Sequence, residues 1–436
     1  MQNTTSKNLL TFIKNSPSVF HSISSIKKIL IREGFIQINE NEIFNISKGG
    51  KYFVTRNDSS IIAFKVGAIL DNFSFNMVAS HSDSPSFKVK PNSINDTGKF
   101  LNVAVEGYGG MLCSTWFDRP LSIAGRVFIK KEDGIESKLI NIDKNLLSIP
   151  SIPIHFNREA NSGYNYNIAK DMQPTLALSI KDYSLKDLIA TTLNEKKENI
   201  LSYDLYLYNR QEGYFWGLDD EFISSCKLDD LQCAYTTLLG FIKSSNPHNI
   251  SIYCCFDNEE VGSSTMQGAN SDFLENTLKR ISNTLGKKEE EFIVALANSF
   301  MVSADNAHSV HPTHSELTDS LNYVLPNNGV VIKSNASQSY CSDAFSIAIF
   351  KEICKNANVP TQDFSNRADI RGGSTLGNIS IRHVSIKSID IGLAQFAMHS
   401  CNETSGSKDS DYMIKAIKEY YESNINFLNS KILIKK

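Results

Sequence analysis

Five short segments bring imidazole and carboxylate side chains to the end of an apolar run or the head of a helical pattern. The first is His81-Ser82-Asp83, directly after the run 75–79. In His-x-Asp an imidazole can bind a metal while the carboxylate orients a ligand or a catalytic base. An ordinary polar loop is the simpler reading. The second is Asp229-Asp230, where helix capping explains both acids without a ligand, although a carboxylate there could also bridge two cations. The third, Asp257-Asn258-Glu259-Glu260, follows the apolar run 250–256. Three carboxylates within four residues repel one another. Either the loop is solvated, or a cation offsets the repulsion, with one Glu as ligand and its neighbour free for proton transfer.

The fourth segment runs from Asp305 through His308, His311 and His314, three of the nine histidines within seven residues, which reads better as a polar pocket wall than as chance clustering. The fifth holds His399, after the run 389–393. A lone His there is more often a satisfied core residue than a ligand. Together the five gain weight, because ligands of open parallel sheets bind beyond the carboxyl ends of the strands. Two His, a bridging Asp, a Glu and a further Asp would suit a pair of zinc-like ions roughly 3.5–4 Å apart. Calcium or magnesium alone suits two imidazoles less well.

The elements that must position these groups follow from periodicity. Runs at 61–66, 75–79, 250–256, 292–297, 330–333 and 389–393 read as strands, and the spacing at 228–242 reads as an amphipathic helix. Helical patterns at 272–285, 342–357 and 411–425 alternate with those strands. Such alternation predicts an α/β fold, a mostly parallel sheet with helices on both faces. Short strand-like runs at 100–105, 121–129, 176–180 and 205–208, separated by turn-rich pieces, predict a β-rich insertion. The expected division is a catalytic domain over 1–89 and 209–436, interrupted by a β-rich insertion domain over 90–208.

Composition narrows the class. The 436 residues imply two or three domains. Forty-four Lys and Arg against forty-seven Asp and Glu exclude a nucleic-acid binder that works by global basic charge. No apolar stretch reaches the roughly 18 residues a membrane span needs. The apolar patch at 9–13 is too short for a secretory signal. Eight cysteines without a CxxC pair fit a reducing compartment without structural disulfides, so the expected location is cytoplasmic.

The order His-x-Asp, Asp, Glu-Glu, Asp, His resembles that of the aspartyl aminopeptidase / vacuolar aminopeptidase I family of dinuclear zinc peptidases, over essentially the whole chain. The stretches that carry the resemblance are ASHSDSP (79–85), GYGGMLCSTWFDRPLSIAGRV (107–127), SCKLDDLQCAY (225–235), DNEEVGSSTMQGA (257–269), SADNAHSVHP (303–312) and LAQFAMHSCNET (393–404). The resemblance implies that His81, Asp229 and Asp305 hold one metal and Asp229, Glu260 and His399 the other, with Asp229 as the bridge. It implies that Glu259 is the general base and acid, and that Asp83 orients His81 or the base. His308, Lys333 and Tyr340 match residues lining the family's substrate pocket, with Lys333 poised to pair with an acidic N-terminal side chain. His155 would reach the active site of a neighbouring subunit, and assembly through the insertion implies a homo-oligomer, a dodecamer. The cofactor implied is two divalent ions per subunit, zinc by resemblance, and the partners are peptide substrates rather than nucleic acid or membrane.

This chain departs from the family pattern at four places. Lys227-Leu228-Asp229-Asp230 stands where Arg-Leu-Asp-Asn is usual, Asn258 where His is common, Ser82 where Thr is common, and Pro120 where an acidic residue often follows WFDR. None is a ligand the resemblance implies, but each bears on substrate preference. The expected activity is release of N-terminal residues, acidic ones first; preference for neutral residues is the alternative within the same chemistry. A catalytically silent assembly protein is the reading from another class, and retention of the base and all five implied ligands weighs against it.

Overall fold

Alternation along two buried strands sets the layers. In Phe75–His81, Val78 packs into one apolar cluster while Met77 and Ala79 pack into another, because successive side chains of a strand point to opposite faces. In Ile250–Phe256, Tyr253 and Cys255 take the first side, Ile252 and Cys254 the second. Helices cover both faces. Leu228–Lys243 and Asp409–Glu422 supply Leu231, Leu238, Ile417 and Tyr420 to the first cluster. Phe273–Thr284 supplies Leu274, Leu278 and Ile281 to the second.

The computed structural model, which describes residues 3–370, 372–373, 375–428 and 431–435, places these strands in a nine-stranded sheet. Its order is Ile36–Gln37, Lys51–Arg56, Ser60–Val66, Ile250–Phe256, Phe75–His81, Phe300–Ala304, Lys387–Gly392, Val330–Lys333, Thr361–Phe364. Five of its eight neighbour pairings are parallel and three antiparallel. The central four strands run parallel, so their carboxyl ends emerge along one edge. The α/β class and the mostly parallel sheet read from the sequence stand.

A second sheet of six strands is wholly antiparallel, ordered Gly134–Asn141, Leu121–Lys131, Ile200–Asn209, Ser86–Asp96, Phe100–Tyr108, Thr175–Leu178. It has its own apolar cluster, with Val103, Ile123, Val127 and Leu205 packed with Ile189 of the helix Leu185–Leu193. This sheet is the β-rich insertion that the short runs predicted. A third, five-stranded sheet includes Ala307–His308, Ala394–Phe396 and Glu403–Gly406.

One expected strand is a helix. The run 292–297 lies in the helix Glu289–Ala297, and the sheet takes the next apolar run, Phe300–Ala304, instead. Glu289, Glu290 and Glu291 occupy the first turn of that helix, where carboxylates favour the positive end of the helix dipole. All eight cysteines are free thiols. Among the described residues, no helix is long and apolar enough to cross a membrane.

Candidate metal centre

Three parallel strands deliver three of the groups. His81 ends Phe75–His81, the Glu259–Glu260 turn follows Ile250–Phe256, and Asp305 follows Phe300–Ala304. Asp229 comes from the head of Leu228–Lys243, where Lys227 is left-handed, Asp229 and Asp230 depart from helical geometry, and the peptide between these two is cis. Capping does not account for Asp229: the helix has no side-chain cap. His399 lies in the loop 397–402, between the antiparallel strands Ala394–Phe396 and Glu403–Gly406, with a left-handed φ of 67°.

The five side chains converge. Asp229 turns one oxygen, Oδ1, to His81 Nε2 at 3.5 Å and the other, Oδ2, to His399 Nε2 at 3.3 Å. Glu260 Oε2 lies 3.4 Å from His399 Nε2, and Asp305 Oδ1 lies 3.9 Å from His81 Nε2. Three sets, His81 with Asp229, Asp230 and Asp305, His81 with Glu259 and Glu260, and Asp229 with Glu260 and His399, each hold ligand atoms within 4.8 Å of one another. Both imidazoles are oriented from behind. His81 Nδ1 lies 3.2 Å from the carbonyl of Asp83, and His399 Nδ1 lies 2.7 Å from that of Gly110. A carbonyl only accepts, so each Nδ1 carries a proton, and each Nε2 is the nitrogen that faces the carboxylates.

That arrangement fits divalent cations. Asp229 Oδ1, Asp230 Oδ1 and Glu260 Oε1 are buried without a hydrogen-bond partner, and buried carboxylates crowded together repel unless a cation sits among them. Burial, reinforced by neighbouring carboxylates, pushes Glu260 and Asp230 well above the usual carboxyl range. The mixed imidazole and carboxylate set is the one that zinc-like ions take.

Around the set lies a scaffold of further carboxylates. Asp83 accepts from the backbone N–H of Glu259 at Oδ1 and of Glu260 at Oδ2, both at 3.2 Å, and from the Tyr108 hydroxyl at 2.6 Å. Glu259 lines the cavity in front of the set, and burial pushes its carboxyl up to about 8. Three supports escaped sequence reasoning. Glu403 accepts from the backbone N–H of both Asp229, at 3.0 Å, and His399, at 2.7 Å. Asp230 accepts from the backbone N–H of His81 at 3.1 Å. Tyr108 reaches in from the β-rich sheet. All three lie within the quoted stretches, Glu403 four residues beyond His399 and Asp230 next to Asp229, but their spacing alone gave no reason to separate them from ordinary surface residues.

The expected substrate residues divide. His308, Lys333 and Tyr340 line the same cavity as Asp229, Glu259, Glu260 and Asp305. Lys333 is 2% exposed, lies 3.4 Å from Asp305 Oδ2, donates to the Asn306 carbonyl at 3.2 Å and sits 5.4 Å from the centre of the Tyr340 ring. His155 is not among the residues lining that cavity; it is exposed in a turn closed by the Phe156 N–H on the Pro153 carbonyl.

A buried nitrogen and oxygen donor set, with the Glu259 carboxylate beside it and a cavity in front, is the equipment of a metallohydrolase. The chain belongs to the aminopeptidase I zinc metalloprotease (M18) family, whose sequence profile matches residues 12–421. It is 43% identical over 423 residues to a probable M18 family aminopeptidase 2 of Clostridium acetobutylicum, covering 95% of this chain and 98% of that protein. Its fold matches the cryo-EM structure of the Ape4 and Nbr1 complex with a TM-score of 0.92 at 33% identity, over 96% of this chain and 85% of the other. It also matches the S. cerevisiae mApe1 dodecamer with a TM-score of 0.82 at 25% identity, over 96% of both chains. The protein is therefore an aminopeptidase of a zinc metalloprotease family.

Proposed function

We propose that this aminopeptidase works with two divalent cations, zinc by family, and releases acidic N-terminal residues from peptides. The observation that carries the reading is the division of Asp229, whose two oxygens face different imidazoles 3.5 and 3.3 Å away. His81, Asp229 and Asp305 would hold one ion, and Asp229, Glu260 and His399 the other. Bound there, the ions would supply Lewis acidity to the scissile carbonyl and to the attacking water.

The chain's own residues supply the rest. Glu259 has the position and the raised carboxyl of a group that takes a proton from water and returns it to the leaving amine. Asp83 holds Glu259 and Glu260 by their backbone N–H groups, which keeps adjacent side chains in separate roles. His308, Lys333 and Tyr340 form the pocket for the N-terminal side chain, and the Lys333 ammonium is the group that an acidic side chain would meet. A neutral preference is the second reading, favoured by one contact: Lys333 already pairs with Asp305.

The division into 1–89, 90–208 and 209–436 belongs to the same proposal, with the β-rich insertion mediating assembly into a dodecamer and presenting His155 to a neighbouring subunit's cavity. A cytoplasmic location fits the free thiols. Metal counting tests the centre. Elemental analysis is expected to find two divalent ions per chain in the wild type and in Glu259→Gln, and fewer in His399→Ala. One ion per chain in the wild type would remove the dinuclear reading.

A further inference from the structure

Two segments that border the peptide cavity are tied to one buried carboxylate. The strands Val330–Lys333 and Lys387–Gly392 run antiparallel, with Lys333 paired directly to Asp390. Directly paired residues put their side chains on one face of a sheet, so Asp390 lies on the same side as the pocket lysine. Asp390 is 0% exposed. Its Oδ2 accepts from the backbone N–H of Cys341 at 2.5 Å, and its Oδ1 accepts from the Thr375 hydroxyl at 2.7 Å. The Asp390 N–H donates to the Ser342 hydroxyl at 2.9 Å. Residues 340–342 are thereby held at two points, and Thr375 at a third.

Both segments supply cavity walls. Tyr340, next to Cys341, and Thr375 line the cavity together with Lys333 and Glu259. Thr375 is the N-cap residue of the helix Leu376–Ser380, yet its side chain makes no cap hydrogen bond and turns to Asp390 instead. A threonine at that position ordinarily accepts from the first turn of its helix, so here the capping contact is given up for the tie. The packing around the carboxylate leaves no slack. A Cβ on Gly377 would stand 2.8 and 2.9 Å from the two Asp390 carboxylate oxygens and 2.6 Å from Cys341 Sγ. A buried carboxylate is costly unless donors satisfy it, and these donors come from segments more than thirty residues apart, so the carboxylate fixes their spacing.

We propose that Asp390 is a positioning residue for substrate binding, its carboxylate spanning the two segments and holding the Tyr340 and Thr375 walls at the spacing in which an N-terminal side chain meets Lys333. This rests on the pocket assigned above to Lys333 and Tyr340. None of these hydrogen bonds runs to Glu259 or to a proposed metal ligand, so Asp390 acts on binding and not on proton transfer.

Release kinetics of Asp- and Leu-aminoacyl chromogenic substrates by the zinc-loaded full-length protein test this. Thr375→Val keeps the shape of the side chain and removes its O–H. It is expected to raise KM for the faster-released substrate about tenfold with kcat little changed, the scale of losing a hydrogen bond to a charged group. Thr375→Ser restores the O–H and should return KM to near the wild-type value. Asp390→Asn leaves one acceptor oxygen where the carboxylate has two, so the effect of Thr375→Val should shrink in that background, as for residues that act through one contact. The two threonine variants decide the matter where Asp390→Asn fails to fold. KM unmoved in Thr375→Val, a fall in kcat in place of the KM shift, no recovery in Thr375→Ser, or full additivity in the double variant would overturn the proposal. Which substrate the wild type releases faster tests the acidic reading by itself, and the KM shift tests Asp390 whichever it is.

Discussion

Glu259 and Glu260 are neighbours in sequence and line the same cavity, but they differ in one contact that is testable. Glu260 Oε2 lies 3.4 Å from His399 Nε2, a contact that Glu259 does not share. Glu259→Gln is expected to lower kcat by roughly 100-fold to 10,000-fold, the scale of a general base, with the metal content intact; metal loss instead would exchange the two roles. Glu403→Gln should act differently, because both carboxylate oxygens accept backbone N–H groups and an amide offers only one acceptor. Weaker metal retention by equilibrium dialysis, with activity restored by excess zinc, is the expected outcome, and unchanged retention would contradict it. At this scale much was legible. His81, Asp229, Glu260, Asp305 and His399 carry types and an order that point to metal. Glu403, Asp230 and Tyr108 were not legible, because their partners, backbone N–H groups for the two acids and the Asp83 carboxylate for Tyr108, come near only in the folded loops.

Elements matter as carriers of these loops. The strand Phe100–Tyr108 belongs to the β-rich sheet, yet its last residue donates to Asp83, and Asn258 donates to the same phenol oxygen at 2.9 Å. Tyr108→Phe removes this tie, and kcat is expected to fall about 10-fold to 100-fold with KM little changed, as for a misplaced catalytic loop; an unaltered kcat would show that the sheet does not steady the site. The helix Val19–Arg32 offers a prediction about pH. Burial, and then the charges of Lys227 and Lys28, lower His21 to about 4. Between 6.5 and about 4 the unfolded chain takes up a proton that the folded chain does not, so this contribution is full above 6.5 and lost as the pH falls through that window. Tm should therefore drop less in His21→Gln than in the wild type between about pH 7 and about pH 4.5, and equal drops would contradict the assignment. Element type was mostly readable from apolar spacing. The run 292–297 shows where that fails: six apolar residues fit a strand or a helix equally, and the three preceding glutamates, not the apolar period, decide for the helix.

For the whole molecule, two sheets with separate cores meet at one site; the strand exits of the parallel sheet bring His81, Glu260 and Asp305 together, while Asp229 comes from a helix head and His399 from a loop of the third sheet. Order along the chain made that convergence legible, since parallel strands share a carboxyl edge. Composition carries no sign of oligomeric state, and the fold leaves single apolar side chains such as Phe156, 84% exposed, outside the core. Sedimentation is expected to give a dodecamer, and His155→Ala to lower activity in the assembled form; a monomer with full activity would dismiss a contribution across subunits. The central claim, a cation-dependent aminopeptidase of acidic preference, meets its most direct test in one assay. Release rates from Asp-, Glu- and Leu-aminoacyl chromogenic substrates are to be compared before chelation, after it, and after zinc is restored. The account predicts that Asp and Glu are released faster than Leu, that chelation stops all three, and that zinc restores them. Faster release of Leu would contradict the acidic preference, and release that persists without divalent cations would contradict the metal centre itself.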